Sequence, residues 1–112
     1  MLTMDTLRAY GANVEEGLAR CVNNEPFYLR MVGMVLADDK FDKLKDAAAA
    51  KDTNAVFEAA HALKGATGNV SLTPIYEPVC KLTELTRGQT GPVDVDALVA
   101  EILEKLEQAR KL

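Results

Sequence analysis

Glycine and proline are scarce in this chain of 112 residues, at seven and four. That scarcity argues against a turn-rich sheet architecture, and the abundance of alanine, leucine, lysine and glutamate favours helix. Basic residues are outnumbered, thirteen against seventeen acidic ones, for a net charge of -4. An acidic chain has no attraction for a phosphate backbone, which argues against DNA or RNA binding, and no basic run is present to suit an anionic membrane surface. The start, Met1-Leu2-Thr3-Met4-Asp5, lacks the basic region and apolar stretch of a signal peptide. No apolar run approaches membrane-spanning length, so no membrane association and a cytoplasmic setting are expected. Cys21 and Cys80 are isolated and show no CxxC spacing. They read as buried thiols in a reducing compartment, with a disulfide between them left open. A single histidine and two scattered cysteines make a poor metal site. Neither a GxxxxGK[ST] loop nor a GxGxxG turn is present, so nothing encodes the taking of phosphate from ATP.

Apolar residues make up 48% of the chain, enough for one continuous core in a single domain spanning 1–112. Thr3 or Asp5 can cap a short helix that stops at Gly11. Asn13 opens a capping-box-like start with Glu16, followed by Leu18, Cys21 and Val22 on one face. Asn24-Glu25-Pro26 starts a helix whose stripe is Phe27, Met31, Met34 and Val35. Asp38 or Asp39 starts the next, with Phe41, Leu44 and Ala48 inward, and Asp52 caps a helix running to about Asn69. Ser71 or Thr73 opens another, ending near Gly88 and striped by Leu72, Ile75, Tyr76, Val79, Leu82 and Leu85. Pro78 is expected to kink that helix or to delay its regular start. The last helix begins near Asp94, with Val95, Leu98, Ile102, Leu106 and Ala109 inward. The whole predicts an all-α fold: an antiparallel four-helix bundle of about residues 24–110, with short N-terminal helices (1–23) capping it.

The segment from Asp52 to Val70 is the informative one. At about 100° per residue, Val56, Ala59, Ala60, Leu63, Thr67 and Val70 share one side and form a core stripe. His61 then points away from the core, with Lys64 about 60° to one side, Gly65 about 40° to the other and Gly68 about 20° away. A satisfied core histidine is therefore disfavoured, while an idle surface histidine survives the geometry. The company of His61 weakens the idle reading. Each glycine inside a helix costs about 1 kcal/mol against alanine, and two on one exposed face suit close approach by another protein. Lys64, one turn on, is a compact mobile charge that can neutralise a phosphoryl group. Phe57, one turn back and about 40° from His61, reads equally as a docking contact or as a flank of the core stripe.

The run Ala60-His61-Ala62-Leu63-Lys64-Gly65-Ala66-Thr67-Gly68-Asn69 resembles the H-x-L-K-G signature of histidine-containing phosphotransfer (HPt) domains. The following Val70-Ser71-Leu72 and the helix bearing Cys80, Leu82 and Glu84 are similar to the rest of that pattern, as is Lys51-Asp52 before it. The resemblance covers roughly Pro26 to Lys105. It implies an elongated bundle with His61 exposed on a long helix and phosphorylated on its imidazole by a phospho-aspartate of a response-regulator receiver domain. Lys64 would then stabilise the phosphoryl group and Gly65 would clear space for the receiver. Family members often carry a polar residue on the next helix that orients the histidine. Here that position is Thr83, shorter than the frequent glutamine, and Ser71 stands where glycine is common. Phe57, Glu58, Gly68 and Thr83 complete the expected partner-contact set.

The implied chemistry suits imidazole, which is nucleophilic when neutral and forms a phosphoramidate that still transfers. No acidic cluster stands near the motif to hold Mg²⁺, and Glu58 alone is insufficient. No cofactor is expected on the chain: the receiver supplies metal and aspartate, and the protein is a phosphocarrier rather than an enzyme. Asp38/Asp39 and Asp94/Asp96 read as helix starts rather than acid–base pairs. The expected partners are a receiver domain and/or a hybrid sensor histidine kinase, met by a monomer. The start at Met1 and the polar finish are compatible with a free-standing domain, and the tail of a hybrid kinase is left open. Two rival readings remain: a plain helical-bundle interaction module with an unphosphorylated histidine, and a small enzyme using His61 as general base. The second needs a pocket with an orienting carboxylate.

Overall fold

The computed structural model describes residues 1–112 and consists of seven helices: α1 (Met4–Tyr10), α2 (Val14–Arg20), α3 (Glu25–Leu36), α4 (Lys40–Ala49), α5 (Thr53–Asn69), α6 (Thr73–Thr86) and α7 (Asp96–Arg110). Caps set several starts. The Thr3, Asn13, Asn24 and Asp52 side chains accept from the backbone N–H groups of Thr6, Glu16, Phe27 and Ala55. Asp38 and Asp94 accept from the backbone N–H groups of Lys40 and Asp96, the first residues of α4 and α7. Neither Ser71 nor Thr73 caps α6; the N-cap is Leu72, without a side-chain hydrogen bond. The Ser71 hydroxyl instead donates to Glu16 at 3.0 Å.

Helices α4 to α7 form the antiparallel bundle, each packed on its neighbour in the chain, with α7 closing back on α4. The short links 50–52 and 70–72 leave room only for reversal. The ends of α5 and α7 and the starts of α4 and α6 therefore meet at one end, and α1, α2 and α3 cover it. Tyr10 donates to the Lys105 carbonyl at 2.8 Å, Arg110 to the Leu36 carbonyl at 2.9 Å, and the Asn13 N–H to the Ser71 carbonyl at 3.0 Å. The bundle proper thus starts at Lys40 rather than near residue 24, because α3 belongs to the cover. The molecule measures 44 × 24 × 19 Å, and Leu7 and Val14 of the cover join the same core as Leu63, Leu82 and Ile102.

Several inward faces differ from the expected stripes. On α3 the buried residues are Tyr28, Val32, Val35 and Leu36, whereas Phe27 and Met34 are exposed and Met31 is half-buried. Tyr28 decides this: its ring fills the notch left by Gly17 of α2, and its hydroxyl donates to the Val70 carbonyl at 2.9 Å. Val22 lies outside the core at 85% exposure, because α2 stops at Arg20 and Val22 and Asn23 both take positive φ. Ala47 and Val99 are more deeply buried than Ala48 and Leu98. On α6, Pro78, Thr83 and Thr86 are buried, while Leu85 is exposed and Tyr76 half-buried. The helix runs unbroken through Pro78 from Thr73, so regular structure does not wait for the proline; Pro74 itself sits in the first turn. Both cysteines are free thiols, Cys21 buried and Cys80 half-buried.

Candidate functional site

Helix α5 buries Val56, Ala59, Ala60, Leu63 and Thr67, and Val70 follows at its end. His61 stands exposed near the middle of the helix on the opposite side. Next to it a groove of about 700 Å³ gathers His61, Lys64, Gly65 and Gly68 with Arg20 and Tyr76. Its far wall is α2, tied to the turn after α5 by the Asn13–Ser71 and Ser71–Glu16 hydrogen bonds. Glu16 in turn pairs with Arg20 at 3.3 Å.

The two glycines on this face have different neighbours. A Cβ on Gly65 would meet nothing within 4 Å, so the space above it is open to solvent. A Cβ on Gly68 would stand 2.9 Å from the Tyr76 ring. Gly68 is therefore occupied by its own chain, and close packing against α6 explains it without a partner.

The remaining expected residues scatter. Phe57 stacks on His61, ring centroids 5.6 Å apart and planes 11° from parallel. Glu58 lies on the other flank of α5, lining a separate depression with Lys40 and Lys43 of α4. Thr83, expected to face a partner or orient the histidine, is fully buried, and its hydroxyl donates to the Val79 carbonyl of its own helix at 2.8 Å. A short hydroxyl next to a helical backbone bonds the carbonyl four residues back rather than reaching outward.

Two contributors lie outside the motif. The Arg87 guanidinium sits 5.2 Å from the centroid of the Phe57 ring and pairs with Glu84 at 3.2 Å. The hydrogen bond and charge of Arg87, with Lys64 adding its own attraction, hold the Glu84 carboxyl below the usual carboxylate range. Arg20 of α2 is the other. Neither shows in the spacing around His61, because each reaches the face from a different helix. No three His, Cys, Asp or Glu side chains gather as a metal ion requires.

The fold and this face define a class: an elongated helical bundle presenting its only histidine to solvent from a long helix, beside a lysine and an open glycine. The profile of the Hpt domain family matches residues 34–111, well over half of the chain, and the chain belongs to that family. Hpt domains are phosphotransfer modules of two-component signalling. No curated protein and no solved structure gives a significant match. No helix is long and apolar enough to cross a membrane.

Proposed function

We infer that this Hpt domain is a phosphorelay carrier whose His61 accepts a phosphoryl group from a receiver aspartate and passes it on. The observation that carries this reading is the exposed His61 on α5, with Lys64 one turn further on and open space above Gly65. In the accepting step the lone pair of one neutral imidazole nitrogen attacks phosphorus. The phosphorus–oxygen bond to the aspartate breaks, and the carboxylate leaves with the bonding electrons. The other ring nitrogen keeps its proton. Donation to a second receiver runs the same exchange in reverse.

Lys64 offsets charge on the phosphoryl oxygens, and the bare backbone at Gly65 admits the receiver. The receiver brings its aspartate and Mg²⁺, so the carrier contributes a nucleophile and a docking face rather than a complete catalytic site. The partners are receiver domains, free or within a hybrid kinase. The family places this module in two-component signalling, which supports a cytoplasmic setting.

Incubation with a panel of phosphorylated receiver domains tests the reading. Acid-labile phosphate mapped to His61, and absent from His61→Gln, is the expected result. A chain that docks receivers yet never takes phosphate would instead be an interaction module with an inert histidine.

A further inference from the structure

An exposed histidine has several rotamers, and a nucleophile that wanders among them loses the benefit of alignment. The buried hydroxyls of Thr67 on its own helix and of Thr83 on the next do not hold it. Thr67 donates to the Leu63 carbonyl and Thr83 to the Val79 carbonyl, each within its own helix. The ring partner of His61 is Phe57, stacked 5.6 Å away at 11°. Phe57 in turn carries the Arg87 guanidinium 5.2 Å from its centroid, and Glu84 anchors Arg87 at 3.2 Å. Arg87 is the C-cap residue of α6, with extended backbone (φ -61°, ψ 124°), and its guanidinium reaches Phe57 on α5.

We propose that Phe57 and Arg87 are positioning residues for phosphotransfer, fixing the plane of the His61 imidazole by a stack anchored across two helices. The chemistry suits a stack better than a hydrogen bond. The nucleophilic lone pair lies in the ring plane, whereas Phe57 touches the ring's face. The stack therefore sets the tilt of the plane and leaves both nitrogens free, one to attack and one to keep its proton. A cation on the Phe57 ring favours the π-face it covers, and its tether to Glu84 makes the arrangement depend on α6 as well as α5. Displacement at phosphorus needs the attacking and leaving groups roughly in line, so ring tilt bears on the transfer step more than on docking. This inference rests on His61 being the phosphoryl acceptor.

The test uses the full chain with Phe57→Leu, Phe57→Tyr and Arg87→Gln. His61 is the only histidine, so its ring proton NMR signals identify themselves. In the unphosphorylated parent those signals should carry a ring-current shift that Phe57→Leu abolishes and Phe57→Tyr retains. Single-turnover transfer from a phosphorylated receiver should show a maximum rate lowered about 2- to 10-fold in Phe57→Leu, the kinetic equivalent of one aromatic pair. The half-saturating receiver concentration should be unchanged, Phe57→Tyr should restore the rate, and Arg87→Gln, at an exposed site, should fall between. Unchanged ring signals, or an equal maximum rate in Phe57→Leu, overturn the positioning role alone. So does a rise confined to the half-saturating concentration, which makes Phe57 a docking contact. A parent chain never labelled on His61 overturns the carrier reading and the positioning role together, while the ring signals still report whether the stack forms.

Discussion

Gly65 and Gly68 stand three residues apart on one helix face, yet the structure separates them by what a side chain would meet. At Gly65 there is open space, and alanine there should stabilise α5 by about 0.5–1 kcal/mol. The bulkier Gly65→Gln should leave the melting temperature normal or raised and abolish phosphotransfer, both read on one preparation. Unfolding instead would show that Gly65 serves the core. Gly68→Ala should behave oppositely, displacing the Tyr76 ring that lies 2.9 Å from the new Cβ. It should cost about 1 kcal/mol in denaturant melts with a milder effect on transfer. Helical spacing put both glycines on the exposed face; only the placement of Tyr76 on the next helix distinguishes them. At Lys64 the expectation is electrostatic. Lys64→Ala should leave the fold intact, slow transfer and shorten the phospho-His61 lifetime, at about 1.5–3 kcal/mol for a charge-assisted contact. Equal rates and lifetimes would remove Lys64 from the chemistry.

At the scale of elements, α5 was legible because a core stripe of five residues and a side-chain cap at Asp52 agree on one register. α3 was not. Its apolar residues Phe27, Tyr28, Leu29, Met31, Val32, Met34, Val35 and Leu36 permit two faces, and the choice between them is made by Gly17, eleven residues before Tyr28 on another helix. Long-range fit of this kind leaves no periodic trace. The Tyr28 hydroxyl adds a specific bond to the Val70 carbonyl, which joins α3 to the end of the histidine helix. Tyr28→Phe should leave that buried carbonyl without its donor and cost about 1 kcal/mol. The melting temperature should fall by about 4–8 °C for a domain near this size. No change would show that solvent replaces the bond and that the α3 contact is looser than the packing implies. The Arg87–Phe57 contact was invisible for a related reason: it depends on where the end of α6 falls beside α5, which no local spacing encodes.

For the molecule as a whole, the cover helices and the bundle share one core, and the tyrosines report on that union. Burial pushes the Tyr28 phenol up to about 12 and raises Tyr10 as well, from an ordinary value of 10.0. The unfolded chain releases these protons near pH 10, while the folded chain keeps the Tyr28 proton to about pH 12. Between those values the folded state holds more protons, so stability falls as pH rises. Denaturant midpoints should be insensitive to these groups below pH 10 and decline above it, less steeply in Tyr28→Phe. A midpoint that stays flat through that window would contradict the burial. The bundle, its order of helices and the exposure of His61 were legible from periodicity and capping. The α2 wall of the groove was not, since it comes from the cover folding back onto the turn after α5. The central claim, that His61 carries phosphate between receivers, is tested most directly by following one labelled phosphoryl group through two steps. The chain is incubated with a phosphorylated receiver, purified, mapped, and offered to a fresh unphosphorylated receiver. The account expects acid-labile label on His61 that then moves to the second receiver's aspartate. Label that never reaches His61, or that cannot leave it, would contradict the account.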